Sequence, residues 1–220
     1  MTDSIVEYQG RTVHFLNLDP TDHIEGYLAR GEWYEDRVLR FIEDLQVEGN
    51  YLDVGAYVGN HTIFFSLFCP SEIVYSCEPQ FGIFTDLLQN IRANKVEKKC
   101  VPMRVALSEC AGLGIFESTT PHNRGMATCQ PERDYFHSAI ITTLDSLNLD
   151  IKLMKLDIEG MELKALRGAE QTLKLVEHLF VEMPRDGFDN LAITHLLINN
   201  DFEEREHFEE EQLYYFRKKQ

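Results

Sequence analysis

One stretch, Tyr51-Leu52-Asp53-Val54-Gly55-Ala56-Tyr57-Val58-Gly59-Asn60-His61-Thr62, narrows the choice of fold more than any other. The apolar run Asn50 to Gly55 reads as a short strand buried on both faces. Two glycines then mark a turn, and Asn60 to Phe68 continues as a helix. The unit repeats with a strand at Glu72 to Cys77 and a helix at Gly82 to Asn94. Further strands are predicted at Cys100 to Ala106, Gly114 to Glu117, Ile140 to Thr143, Ile151 to Asp157 and Glu177 to Met183, with helices at Gly160 to Lys174 and Phe188 to Asn199. Strands alternating with helices of about 10 to 15 residues imply a mostly parallel sheet covered by helices on both faces.

Two regions depart from the alternation. Residues 1–48 form an N-terminal cap, with β character at Arg11 to Asn17 and a helix at Glu32 to Leu45 that carries Trp33, Val38, Leu39, Ile42 and Leu45; residues 49–220 form the core of one domain. At the other end, Phe202 to Phe208 and Gln212 to Arg217 read as an antiparallel hairpin around the acidic turn Glu209 to Glu211. Ser118 to Tyr135, rich in Thr, Pro, His, Asn and Arg, is expected to be a long irregular insertion, a place where function often resides.

Composition removes several classes. With 37 acidic against 21 basic residues the net charge is −16, which repels polyphosphate, so no nucleic-acid partner is expected. The apolar run Thr62 to Cys69 is far shorter than the roughly 20 residues that a membrane span requires. The first residues lack a basic stretch followed by an apolar one, and a cytoplasmic location is the expectation. Five cysteines, odd in number and without Cys-x-x-Cys spacing, argue against a disulfide framework or a thiolate zinc site.

In an open α/β sheet, ligands bind at the carboxyl ends of the strands where strand order reverses, commonly at the first strand. Asp53, Gly55 and Gly59 fall there. Dinucleotide binders place Gly-x-Gly-x-x-Gly beneath a pyrophosphate, whereas here alanine and tyrosine occupy the intervening positions and an acid precedes the first glycine. A pyrophosphate would meet that carboxylate. S-adenosylmethionine has no phosphate and carries a sulfonium and an ammonium, so the acidic loop suits it. Glu78 ends the second strand, 19 residues past Gly59, where an acid can take both ribose hydroxyls. Pro79 stops that strand, and Val105-Ala106-Leu107-Ser108 is placed to close over an adenine.

With these residues in hand, the chain resembles the FkbM family of methyltransferases, a Rossmann-like class that methylates oxygen on small molecules and glycans. The resemblance begins at Gly31, Trp33, Tyr34 and Glu35 and runs through Leu52 to Thr62, Glu78-Pro79, Asn90, Asn94 and Ala106-Leu107-Ser108. It continues through Thr143 to Ser146 and Leu153 to Ala169 to Val181-Glu182-Met183-Pro184. Tyr57 stands where the family more often has asparagine. The resemblance implies S-adenosylmethionine as cofactor, with its methionine half on the loop Asp53, Gly55, Ala56, Tyr57, Gly59, Asn60 and Thr62, its ribose on Glu78 and its methionine end near Glu35.

Methyl transfer from a sulfonium needs alignment and, for a poorly ionised hydroxyl, a base or a metal. Lys155, Asp157 and Glu159 alternate at the end of one strand and turn toward one region, with Asp157 the first candidate for acid or base. Glu182 ends the neighbouring strand, and several acids together could hold Mg²⁺. Glu162 is expected to favour a helix N-terminus, His61 to cap or pack at the ligand loop, and His122 and His137 are further base candidates. The leading expectation is an O-methyltransferase acting on a sugar, glycan or small natural product. A non-catalytic S-adenosylmethionine binder and a nucleic-acid methyltransferase are the alternatives.

Overall fold

The computed structural model describes residues 1–120, 123–130, 138–183 and 189–219, with 117–120 and 123–130 described by backbone alone. The N-terminal residues pair among themselves. β1 (Thr2–Tyr8) and β2 (Arg11–Leu18) form an antiparallel hairpin, followed by α1 (His23–Ala29) and α2 (Asp36–Asp44). Neither β1 nor α1 was predicted. Strand β1 buries only Val6 and Tyr8 in a polar run, and α1 has seven residues held by its cap, the Asp22 side chain accepting from the N–H groups of Ile24 and Glu25. The helix expected from Glu32 begins at Asp36 because Glu35 has φ 56°, a left-handed backbone that cannot continue a helix.

The core then runs β3 (Gly49–Val54), α3 (Asn60–Phe68), β4 (Ser71–Cys77), α4 (Phe81–Ala93), β5 (Cys100–Met103), β6 (Val105–Leu107), β7 (Gly112–Thr120), β8 (Asn123–Gln130) and β9 (Ser138–Thr142). It continues through α5 (Leu144–Leu147), β10 (Leu153–Leu156), α6 (Glu162–Arg167), α7 (Thr172–Leu175), β11 (His178–Glu182), α8 (Asn190–Asn199), β12 (Phe202–Phe208) and β13 (Leu213–Lys218). The seven-stranded sheet has the order β12-β13-β11-β10-β3-β4-β5, with β10, β3, β4, β5 and β11 parallel and the closing β12-β13 hairpin antiparallel. The chain moves outward from β3 to β4 and β5, then returns to β3's other side with β10. That reversal fixes the ligand end of the sheet.

Three expectations need correction. Cys100 to Ala106 is not one strand: it breaks at Arg104, so that β5 closes the large sheet and β6 begins a second one of order β6-β9-β7-β8. The region Ser118 to Tyr135 is not irregular throughout, since residues 118–120 and 123–130 lie in the antiparallel pair β7 and β8. Thr and Ser there read as loop by composition but are tolerated well in a paired ladder. His122, His137 and Pro184 lie outside the described residues. The helix predicted over Gly160 to Lys174 is two pieces, α6 and α7, parted at Gly168, where a Cβ would sit 2.3 Å from the Ser108 carbonyl oxygen.

The cap and the sheet share one core. Val13, Phe15, Trp33, Val38, Leu39 and Ile42 pack in the same cluster as Tyr51 and the α3 residues Ile63, Phe64 and Phe65. Each such side chain contributes about 1.5–3 kcal/mol of burial. Asparagines fasten this packing by polar contacts: Asn90 accepts from the Leu16 N–H and donates to the Val58 carbonyl, and Asn94 bonds both the N–H and the carbonyl of His14. Among the described residues no helix is long and apolar enough to cross a membrane.

Candidate active site

A cavity opens at the carboxyl ends of β3, β4, β10 and β11, roofed by His23, Ile24, Tyr34 and Glu35 of the cap. The loop after β3 makes its shape. The N–H groups of Gly55 and Ala56 both donate to the Cys77 carbonyl at 3.0 Å, pulling the loop against the end of β4. On the other side a Cβ at Gly55 would lie 1.8 Å from the Asp157 carbonyl oxygen. Only glycine fits between these two strand ends, and its φ of +85° demands glycine as well. Gly59, at φ +100°, then starts α3.

Glu78 forms the wall on the β4 side. It is buried, its Oε1 accepting from the Gln80 N–H at 2.8 Å and its Oε2 from the Tyr57 N–H at 3.2 Å. Burial outweighs those two amides and pushes its carboxyl up to about 7. Pro79, Val105, Ala106, Leu107 and Phe116 continue this wall with largely apolar surface.

The opposite wall is charged. The buried Lys155 ammonium lies 2.6 Å from Asp157 Oδ2 and 3.8 Å from Glu35 Oε2, and His61 Nε2 lies 3.0 Å from the same Glu35 oxygen. Burial opposes ionisation of both Lys155 and Asp157. Their mutual attraction, with Glu35 and Asp53 adding to the field, prevails and raises the lysine while holding Asp157 below the usual carboxylate range. The Asp157 side chain remains 24% exposed, so a ligand in the cavity can reach it. In the parallel ladder Leu156 pairs with Val181, which brings Asp157 and Glu182 side by side at the next position. Set side by side, each acts on the other's ionisation, and one proton held between them would make a hydrogen bond. Burial, then the charge of Asp157 and its hydrogen bond, push Glu182 up to about 10. The Tyr34 phenol is raised too, by burial and then by Glu35 and Asp157.

The residues singled out in the sequence therefore separate into two layers. Glu35, Gly55, Tyr57, Glu78, Pro79, Ala106, Leu107, Asp157 and Glu159 line the cavity, Glu159 at its exposed rim. Asp53, Ala56, Gly59, Asn60, Thr62 and Lys155 lie off the wall and hold it. Asp53 Oδ2 accepts from the Thr62 hydroxyl at 2.6 Å, joining β3 to the first turn of α3. Asn60 exchanges hydrogen bonds with the backbone of Tyr34, fastening the roof. Glu162 accepts from the N–H groups of Ile158 and Gly160 and so fixes the loop after β10 rather than facing the cavity. Gln80 and Ile24 were not anticipated, and nothing in their local sequence marks them. The sequence gives His61 only a capping or packing role, yet its position in the first turn of α3 puts it within reach of Glu35.

This wall suits a ligand with a diol near Glu78 and positive charge elsewhere, and a pyrophosphate would face Glu78 and Asp157. It offers no metal site: among the described residues no group of three or more His, Cys, Asp and Glu side chains could hold an ion, and the expected Mg²⁺ finds no donor set.

Comparison with known proteins identifies the family and the fold. Residues 53–214 match the methyltransferase FkbM domain. Hexuronic acid methyltransferase AglP from Haloferax volcanii is 27% identical over 176 residues, covering 76% of this chain and 68% of AglP. Among solved structures, TrmK from M. capricolum, bound to S-adenosyl-homocysteine, aligns over 84% of this chain and 68% of its own with a TM-score of 0.51 at 10% identity. An rRNA methylase from Streptococcus thermophilus aligns over 84% of this chain and 95% of its own with a TM-score of 0.51 at 14% identity. These likenesses show the Rossmann-like methyltransferase fold. The chain belongs to the FkbM methyltransferase family and is an S-adenosylmethionine-dependent enzyme.

Proposed function

We propose that this methyltransferase acts on a hydroxyl of a sugar or glycan. The observation that carries the reading is Asp157, a carboxylate held ionised by Lys155 at 2.6 Å and open to the cavity. When bound, S-adenosylmethionine supplies an activated methyl group and its own thioether leaving group. Glu78 would take the ribose hydroxyls, the apolar surface of Ala106 and Leu107 the adenine, and Gly55, Tyr57 and Glu35 the methionine half. Asp157 would take the proton of the acceptor hydroxyl as that oxygen is methylated. That transfer needs no strong base, because the proton becomes acidic only as the oxygen loses electron density.

The hexuronic acid activity of AglP supports a carbohydrate acceptor, and the net charge of −16 disfavours RNA although RNA enzymes share the fold. The test is release of S-adenosylhomocysteine with methyl glycosides that include a glucuronide, alongside an RNA hairpin. Turnover of a glycoside, lost in Asp157→Asn, supports the reading; turnover of RNA alone refutes it.

A further inference from the structure

The sequence puts Asp157 first as acid or base and Glu182 beside it as a further carboxylate, and their surroundings give the two different states. Asp157 has the Lys155 ammonium on Oδ2 at 2.6 Å. Glu182 has no cation among its described neighbours: Asp157, Glu159, Glu162 and the Tyr34 phenol face it from the loops after β10 and from the cap, while Lys155, Glu35 and His61 lie beyond Asp157. Its Oε2 is buried without a hydrogen-bond partner among the described residues. An ionised carboxylate would pay heavily for that bare oxygen, and a neutral acid far less. A hydrogen bond between two carboxyl groups also requires one proton, and Lys155 decides which partner gives it up.

We propose that Glu182 is a positioning residue for the transfer, a protonated acid that donates its O–H to Asp157 and, opposite Lys155, fixes that carboxylate toward the acceptor. The role rests on the reading of Asp157 as the proton acceptor. During turnover the hydroxyl proton goes to Asp157 and Glu182 keeps its own. The pair then carries two protons, one of which returns to solvent before the next acceptor binds.

Infrared difference spectroscopy on the whole chain with S-adenosylhomocysteine tests this without an acceptor. At about pH 8.5, Glu78 and Glu159, each at about 7, are mostly ionised, while Glu182, at about 10, is not. Wild type minus Glu182→Gln should show one protonated-carboxyl band lost. The Asp157 carboxylate band, assigned with Asp157→Asn, should stay in place in Glu182→Gln, which keeps a donor, and shift in Glu182→Ala, which does not. Loss of a carboxylate band in Glu182→Gln would overturn the proposal, as would ionisation of Glu182 on adding Mg²⁺. With any glycoside that the wild type methylates, Glu182→Gln should stay within about threefold of wild-type kcat and Glu182→Ala should fall about tenfold or more. Equal losses in the two would overturn the positioning role. Failure of the wild type to methylate any glycoside would instead sink the carbohydrate assignment and leave the spectra to decide.

Discussion

The two walls of the cavity hold a carboxylate in opposite ways. On the β4 side Glu78 is gripped by two backbone N–H groups and no cation, so burial leaves it poised near neutrality. On the β10 side Asp157 is gripped by Lys155 at 2.6 Å, and its carboxyl is held below the usual range, with the proton proposed on Glu182 facing it. In the proposed reading the neutral cradle holds the acid that accepts ribose hydroxyls, and its charge can adjust as the ligand arrives. In the same reading the charged cradle holds the acid that remains a base from one turnover to the next. The comparison separates cofactor binding from chemistry, and it can be broken residue by residue.

The largest effect is expected from Asp157→Asn, which should lower kcat by roughly 10²–10⁴-fold, the range for a lost acid or base. Steady-state kinetics that show less than about tenfold loss would remove Asp157 from the chemistry. Next comes Gly55→Ala, which damages both walls at once, because its Cβ has only 1.8 Å to the Asp157 carbonyl oxygen and its φ is +85°. Chemical denaturation should report a loss of about 3 kcal/mol or more; a variant of wild-type stability would mean that the loop and β10 are not in such close approach.

Acidity should distinguish the walls next. The Glu78 carboxyl is raised from 4.5 to about 7, so its contribution to stability is present below the unfolded value and is lost as pH rises through about 7. For the ligand-free protein the swing is about 3 kcal/mol across that window. Glu78→Gln should abolish this component in thermal melts, whereas Asp157→Asn should not. With Glu78 proposed to accept the ribose hydroxyls in its ionised form, affinity for S-adenosylhomocysteine should fall as pH drops below about 7. A pH-independent affinity would separate Glu78 from the ribose.

The smallest effect is expected at Tyr57, whose hydroxyl donates to the buried Glu25 Oε1 at 2.6 Å and so ties the glycine loop to α1. Tyr57→Phe should cost about 1–2 kcal/mol of stability and leave kcat within a few-fold. Asparagine, the more usual residue here by resemblance, is too short to span the same gap.

Much of the sheet was legible because its strands are apolar runs bounded by glycine, proline or acids, and α3 at Asn60–Phe68 was bounded correctly by Gly59 and the loss of pattern at Cys69. The second sheet was not. The strands β7 and β8 carry polar residues that mimic a loop, and the join between β5 and β6 has no glycine or proline at Arg104, only a change of partner that local sequence does not encode. The site divides in the same way. Residues near the ends of strands, such as Glu78, Asp157 and Glu182, could be found from the pattern alone. The inward placement of Asp53, the approach of His61 to Glu35 and the asymmetry between Asp157 and Glu182 depend on contacts across elements and appear only once the strands are in register.

The separation of the two walls is tested most directly by calorimetric titration of S-adenosylhomocysteine into the wild type, Glu78→Ala and Asp157→Asn at one pH above 7. The account predicts roughly ten- to a hundredfold weaker binding in Glu78→Ala, the worth of hydrogen bonds to a charged group, and affinity within about twofold of wild type in Asp157→Asn. Equal weakening in both variants, or none in Glu78→Ala, would contradict it.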